Sequence, residues 1–490
     1  MQLSRAATIM HGVLQGSDCL FSGVSIDSRQ TSRGDLFVAI PGAQHDGHRF
    51  VDQASENGAV GALVSHTIKS CKIESHGGRK RTDQIPTSQI RVENTTVAMG
   101  QLGAHWRNRF DIPVLAITGS NGKTTVCTLI ASILNQVGNC LSPRGSFNNQ
   151  WGVPLTLLRI REAHTHAVIE MGMNHPGEIE YLAGLARPTI ALINNVAPAH
   201  LAGLGSLQNI ARAKAEIFSG LKRKGIAVLN EDDPFHDFLL RRIDAGHLDL
   251  DRVLSFGMRN SADVSVRNIF SNPDGSEFEL NIEGQSINVK LPLLGQHNVM
   301  NALAAAAATH AAGAEINQIK AGLESFTAVK GRLRRLPGIN GSVIIDDSYN
   351  ANPASIKAAL EALAGFDGKR IVVLGAMAEL GSDSDELHYQ AGVDAHRCGV
   401  DRLVCLGTAD STAMSGYARG FGPQAKQFSD LGKLLEYLVP MLQSGMTVLV
   451  KGSRSSAMER VVEGLVAKPG GASAGTQSAD AELTTGGPSC

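Results

Sequence analysis

The sequence predicts an α/β protein of three domains: a small N-terminal α/β module, a central mostly parallel sheet with helices on both faces, and a C-terminal doubly wound sheet. Three observations predict it. Short apolar strands alternate with helical segments along most of the 490 residues, the pattern of parallel sheets flanked by helices. The glycine-rich run TGSNGKTT begins only at Thr118, so a complete module precedes it. The chain is also long enough for roughly two to four domains with cores of their own. The boundaries expected are 1–107, 108–328 and 329–466, with 467–490 as a disordered tail nearly free of large apolar residues.

In the first block, LFVAI and GALV read as short strands among turn-rich runs such as IPGAQHDGHRF. KSCKIESHGGRKRTDQ is polar and basic and reads as a solvated surface loop; no role is given to it. The second block opens with PVLAIT, a strand, and TTVCTLIASILNQVG, a helix. In that helix Val126, Leu129, Ile130, Ile133, Leu134 and Val137 recur at spacings of three and four, and Gly138 is the stop. Residues 119–123 therefore form a strand-to-helix loop. Gly119, Ser120, Asn121 and Gly122 let backbone N–H groups converge on an anion, and the helix N-terminus adds partial positive charge there. Lys123 is placed to reach the phosphates of ATP, and Thr124 or Thr125 to ligate the Mg²⁺ that accompanies it. Ile117 holds the place of the first glycine of the full P-loop pattern, leaving GxxGKTT.

The strands AVIEM, TIALI and IAVLN follow. Ligands of doubly wound sheets gather beyond the carboxyl ends of the strands, so Glu170, ending one strand, and His200, in the loop after another, point to the crevice of Lys123. Glu170 offers oxygen to Mg²⁺ or satisfies a loop backbone; His200 is a ligand or ordinary polar surface. In SLQNIARAKAEIFSGL, Leu207, Ile210, Ile217 and Leu221 define an apolar stripe on which Lys214 falls. Either that lysine snorkels outward or it enters a site where its charge is paired or changed. GQHNVMNALAA supplies Asn298 and Asn301, amides able to read a base edge or cap a helix. KGRL and DDSYNANP supply Arg332 and Asp347 at the junction of the last two blocks, a natural cleft. The third block repeats the alternation with VIID, RIVVLG, RLVCLG and TVLVKG, and no strand there is followed by GxGxxG, so no dinucleotide is expected.

A net charge of −1 argues against coating nucleic acid or adhering to membranes. Seven cysteines scattered without CxxC spacing fit a reducing compartment, and the cytoplasm is expected. No stretch approaches the roughly eighteen uninterrupted apolar residues of a membrane span.

TGSNGKTT, VIEMGMNHPGEIEYL, NNVAPAHLAGLGS, ARAKAEIF, VLNEDDP, GQHNVMNALAA, KGRL, DDSYNANPASI and KGSRSSAMERVV occur in the order found in the Mur ligases, and the chain resembles that family from SIDSR to about residue 465. The resemblance implies a UDP-sugar-binding domain, an ATP-binding domain and a Rossmann-like ligase domain. It implies an ATP-dependent amide ligase of peptidoglycan precursor synthesis, joining D-alanyl-D-alanine to UDP-N-acetylmuramoyl-tripeptide through an acyl phosphate. By the same resemblance Glu170 and His200 match magnesium ligands, and Lys214 matches a lysine commonly carbamylated by CO₂. Asn298, Asn301, Arg332, Asp347 and Tyr349 match ATP contacts; by the same resemblance Ser28, Ala43, Gln44 and His45 lie near the uridine diphosphate, and Asn148 and Asn149 near the substrate or the phosphates. Catalysis would fall to Lys123, Lys214, Arg332, Glu170 and His200, in a monomer. One departure is the run GAM, with Ala376 where the family usually has aspartate, which puts a role of that loop in dipeptide binding in doubt. A ligase adding a different amino acid, a P-loop NTPase with flanking interaction domains, and a silent UDP-sugar scaffold are the competing readings.

Overall fold

The computed structural model describes residues 1–42, 45–69, 71–73, 79–81, 87–198, 201–259, 261–408 and 411–467, with the backbone alone at 71–73, 79–81, 201–202 and 382. The expected tail lies outside these residues apart from its first position. Three main sheets form in chain order. The first has five strands, ordered Val13–Gln15, Ser88–Arg91, Gly61–Val64, Asp35–Val38, Gly23–Ser25. All its pairings are parallel except that of the first two. Part of the basic run of this block, Cys71–Ile73 and Arg79–Arg81, pairs as a separate antiparallel ribbon.

The central sheet has nine strands: Gln285–Leu291, Gly275–Ile282, Val264–Asn272, Leu250–Phe256, Gly225–Asn230, Ile190–Ile193, Val114–Thr118, His166–Glu170 and Cys140–Leu141. Six strands from Cys140–Leu141 to Leu250–Phe256 run parallel. The other edge is an antiparallel extension not anticipated from the sequence. Val114–Thr118 is fully buried, and its side chains alternate between two cores. Leu115 and Ile117 pack with the helix Lys123–Leu134 and the alanine-rich helix Gln296–Ala311, while Val114 and Ala116 pack with the helix Glu178–Ala186. The following strands lie on one side of Val114–Thr118 and Ile190–Ile193 on the other. The strand order therefore reverses at this strand, which opens a crevice at its carboxyl end.

The P-loop helix ends at Leu134. Val137 and Gly138 both donate to Leu134 O in a tightened final turn, so the helix stops short of Gly138, at a cap on Asn135, and Val137 is 37% exposed. Alanines at 302 and 304–308 are completely buried. A helix without bulk on any face can lie flat between the sheet and a second helix, and this one does.

The third sheet is ordered Arg334–Pro337, Val343–Asp347, Met446–Lys451, Lys369–Gly375, Arg402–Leu406, Ala425–Phe428, parallel except at its first pair. Its faces are covered by helices including Pro353–Ala364, Ser384–Arg397 and Leu431–Leu438.

Arg107, at the end of the helix Thr95–Arg107 joining the first two sheets, is 1% exposed. Its guanidinium donates to the carbonyls of Ala186, Phe110, Ile112 and Arg187. Removing it leaves buried acceptors without donors, a costly change. Arg107→Met is expected to lose on the order of 3 kcal/mol of stability, read as a drop in the denaturant midpoint.

Candidate active site

The crevice beyond Thr118 continues into a cleft of about 590 Å³ between the second and third sheets. Its floor is the phosphate loop. Gly122 caps the helix Lys123–Leu134 in the left-handed region at φ 77°, and a Cβ there would lie 2.3 Å from Asn301 Oδ1 and 2.7 Å from Asn194 Nδ2. Only glycine satisfies both constraints. The loop backbone is held by amides: Asn121 N–H donates to Asn195 Oδ1 (2.9 Å), and Asn121 O accepts from Asn194 Nδ2 (3.0 Å) and Asn195 Nδ2 (3.1 Å). Asn194 Nδ2 also reaches Asn301 Oδ1, and Asn301 Nδ2 reaches Asn298 Oδ1, both at 2.9 Å. The two asparagines of the alanine-rich helix thus buttress the loop as well as line the cleft. Asn298 is no N-cap; its amide bonds Leu294 O instead.

Lys123 Nζ curls over the loop onto Gly119 O (2.7 Å) and Ser120 O (3.3 Å). Burial pushes its pKa down, Glu170 opposes that, and Arg332 adds to it. Glu170 ends its strand 1% exposed; Oε1 accepts from Asn148 Nδ2 (2.7 Å), and Oε2 is buried with no hydrogen-bond partner. A buried carboxylate oxygen left open beside a threonine hydroxyl fits a hard divalent cation, which takes oxygen ligands. Thr124 Oγ1 lies 3.3 Å from Ser146 Oγ and 3.5 Å from Arg332 Nη2. Thr125 lines the same loop, nearly buried. Among the described residues no group of three or more His, Cys, Asp and Glu side chains gathers. His200 lies outside the described residues.

Lys214, at the end of the helix Leu207–Ala215, is 2% exposed. It does not snorkel. Burial, then the positive charge of Lys123, drive its pKa well below the ordinary lysine range, and Asp233 counteracts. Such surroundings favour the neutral amine, the nucleophilic form of a lysine. Asp233 is itself pushed up by burial, although it accepts the N–H groups of Val196 and Phe235. Leu207, the first residue of the expected stripe, is 38% exposed, whereas Ile210 and Ile217 are buried.

The roof comes from the third sheet. Arg332 stacks over Tyr349 at 4.2 Å from the ring centroid, its head toward Thr124. Asp347 pairs with Lys451 at 2.6 Å, Lys451 also donating to Asn350 O, and Asp347 Oδ1 accepts from Leu333 N. Burial raises the one pKa and lowers the other, while their mutual attraction opposes both shifts. His297 is pushed down to about 4 by burial and then by Lys451, so it is neutral at pH 7. The sequence pattern does not single out Lys451, Asp233, Asn194, Asn195 or Asn352. Lys451 had a readable signal, since it ends an apolar strand as Glu170 does.

The structure gathers Ser120 to Thr125, Asn148, Glu170, Asn298, Asn301, Arg332, Asp347 and Tyr349 around one cleft, with Gly119 O on Lys123 Nζ and Lys214, not itself a lining residue, near enough to feel the charge of Lys123. The remaining candidates stand apart. Asn149 accepts the N–H groups of Trp151 and Gly152 at a helix start. Ser28 bonds Gln53 and Asn57 within the first domain, and His45 is exposed there. Ala43 and Gln44 lie outside the described residues. Ala376, in the GAM loop, offers its carbonyl to Ser453 N and Ser456 Oγ, and Met377 N donates to His388 Nε2. Backbone bonds therefore seat that loop without an aspartate side chain.

Three family descriptions match in succession: Mur ligase family, catalytic domain, at residues 20–107; Mur ligase middle domain at 117–309; and Mur ligase, glutamate ligase domain, at 331–454. The chain is 43% identical to the UDP-N-acetylmuramoyl-tripeptide–D-alanyl-D-alanine ligase of Escherichia coli (strain K12) over 94% of this chain and 98% of that one. MurF from Acinetobacter baumannii superposes with a TM-score of 0.82 at 33% identity, covering 94% and 97% of the two chains. MurF ligase from Thermotoga maritima in complex with ADP superposes with a TM-score of 0.77 at 27% identity, covering 91% and 98%.

The glycine constraint is testable. Gly122→Ala must adopt a positive φ and displace Asn301, and is expected to lose about 2 kcal/mol of stability or more. Gly145→Ala, at φ 65° with nothing within 4 Å of a Cβ, carries the conformational cost alone, about 1 kcal/mol. Thermal melts of both variants, with and without ATP, measure the difference.

Proposed function

The chain belongs to the Mur ligase family, and on that premise we infer that it is an ATP-dependent ligase joining D-alanyl-D-alanine to UDP-N-acetylmuramoyl-tripeptide in peptidoglycan precursor synthesis. The observation that carries this reading is the meeting of a phosphate loop, a buried carboxylate with one open oxygen and a buried lysine under an arginine from the next domain.

A carboxylate is a poor acylating agent. In the proposed reaction the terminal carboxylate of the tripeptide attacks the γ-phosphorus of ATP, ADP leaves, and an acyl phosphate forms. The amine of D-alanyl-D-alanine then attacks the acyl carbon, phosphate leaves, and the amide is made. Both steps move negative charge between oxygens, so the protein's share is positioning and charge stabilisation. Lys123 swings from its loop carbonyls to the β- and γ-phosphates, and Arg332, braced on Tyr349, meets the transferring phosphoryl group from the roof. Thr124 and Glu170, with His200 and a carbamate on Lys214, would hold Mg²⁺. That ion would neutralise charge shared by the phosphates and the acyl oxygen.

Carbamylation suits Lys214 for a physical reason. A buried neutral amine can attack CO₂, its N–H proton passing to solvent as the N–C bond forms, and the resulting carbamate would offer anionic oxygen to a hard cation where the amine offers none. Asn298, Asn301, Asp347 and Tyr349 are assigned to ATP, with Asp347 held in place by Lys451. Ser28, Ala43, Gln44, His45, Asn148 and Asn149 are assigned to the UDP-sugar tripeptide; Asn148, bonded to Glu170, would tie the two sites together. We place the enzyme in the cytoplasm, in keeping with five described cysteines that are all free. We take the enzyme to act as a monomer.

The reading is tested by omission. Phosphate release should be slow with ATP alone and rise at least about tenfold only when both the UDP-tripeptide and D-alanyl-D-alanine are present, with the ligated product seen by mass spectrometry. Equal release without them would return the chain to the class of plain NTPases. Lys214→Ala is expected to lose activity by about a hundredfold or more and to recover part of it with added acetate or formate; wild-type rates without additive would remove the carbamate role.

A further inference from the structure

Helix Pro353–Ala364 of the third domain begins at the cleft, and its N-cap is Asn352. The cap uses the side-chain oxygen: Asn352 Oδ1 accepts from Ser355 N (2.9 Å), and Ser355 Oγ accepts from Asn352 N (2.9 Å). That arrangement fixes the orientation of the amide, since a backbone N–H can only be met by the oxygen. The NH₂ group is left over, and it crosses the cleft to Asn121 Oδ1 at 2.7 Å, a link spanning 231 residues of sequence. Asn121 is the centre of the phosphate loop, its N–H and C=O both already held by Asn194 and Asn195. Among the described residues the other hydrogen bond from the third domain to this loop and its helix is Arg332 to Thr124, at 3.5 Å. A helix needs nothing beyond the oxygen of its cap, so the short bond to Asn121 calls for a separate account.

We propose that Asn352 is a positioning residue that latches the third domain onto the phosphate loop, so that the loop reaches its working geometry only when the domain bringing the acceptor amine has closed. The bond works in both directions. Closure places one more donor on the loop, and a correctly seated loop offers the acceptor that holds the domain down. Through Asn194 and Asn301 the constraint passes to the alanine-rich helix, whose alanines at 302 and 304–308 are completely buried in the core. This inference rests on the ligase reading for its kinetic readout.

The test separates latch from cap. Asn352→Ser keeps a good N-cap and drops the reaching donor. It is expected to melt as the wild type does, while kcat for ligation falls about ten- to a hundredfold and the scattering contraction on adding a non-hydrolysable ATP analogue with UDP-tripeptide shrinks. Asn352→Asp also keeps the cap but sets an acceptor against an acceptor, and should be worse than serine at equal stability. In a cycle with Asn121→Ala, the second substitution should cost little once the first is made. A wild-type kcat and contraction in Asn352→Ser, or losses that simply multiply in the double variant, would overturn the latch. Wild-type protein that contracts normally but makes no ligated product would count against the ligase reading instead, and the contraction of the variants would still decide the latch.

Discussion

The geometry of the whole cleft depends on the packing of Gly122 against two asparagine side chains. A left-handed residue with no Cβ lets the chain turn from a central strand into a helix while Asn194 and Asn301 close in from the neighbouring strand end and from the alanine-rich helix. Everything that faces phosphate is positioned from that point: the loop amides, the lysine that follows, the threonine hydroxyls, and through Asn121 the first helix of the third domain. The nine-stranded sheet supplies the rigidity, and the reversal of strand order supplies the opening.

Charge is distributed against stability here. Lys123, Arg332 and Lys451 lie near two buried carboxylates, Glu170 and Asp347, and of these cations Lys451 has a full ion-pair partner, in Asp347. Glu170 keeps one oxygen unsatisfied. Such groups destabilise the fold unless something anionic arrives for the lysines and something cationic for the carboxylate. A nucleotide with its metal would answer both needs, tying ligand binding to the relief of an electrostatic cost built into the fold. Arg107, by contrast, is a buried charge met in the ordinary way, by four carbonyls.

Much of this was legible in the chain because strand ends announce themselves. Thr118, Glu170 and Asp347 close apolar runs, and a doubly wound sheet brings such ends to one side. Lys214 was legible as an anomaly on an apolar stripe, and the structure resolves the ambiguity by burying it. What escaped notice are partners set by long-range packing. No local signal tells that Asn352 meets Asn121, since its role as a helix cap already accounts for an asparagine before proline. The antiparallel edge of the central sheet escaped for another reason: Val264–Asn272 is buried only in its first half, so neither alternation nor a continuous apolar run marks its full length. The extension of the P-loop helix to Val137 failed because spacing alone continues past the point where the last turn tightens.

The position of Met446–Lys451 has a bearing on how the molecule is made. This strand lies between Val343–Asp347 and Lys369–Gly375, yet it is synthesised after both. A growing polypeptide can complete its first two sheets during translation, but the third waits as two unjoined halves until Met446–Lys451 has been made. Until then its flanking strands have open edges, which are templates for mispairing. Of the three sheets, the one that roofs the cleft is therefore the last to become a solid body, and a chain broken off before Met446 keeps the phosphate loop with no finished lid to bring over it.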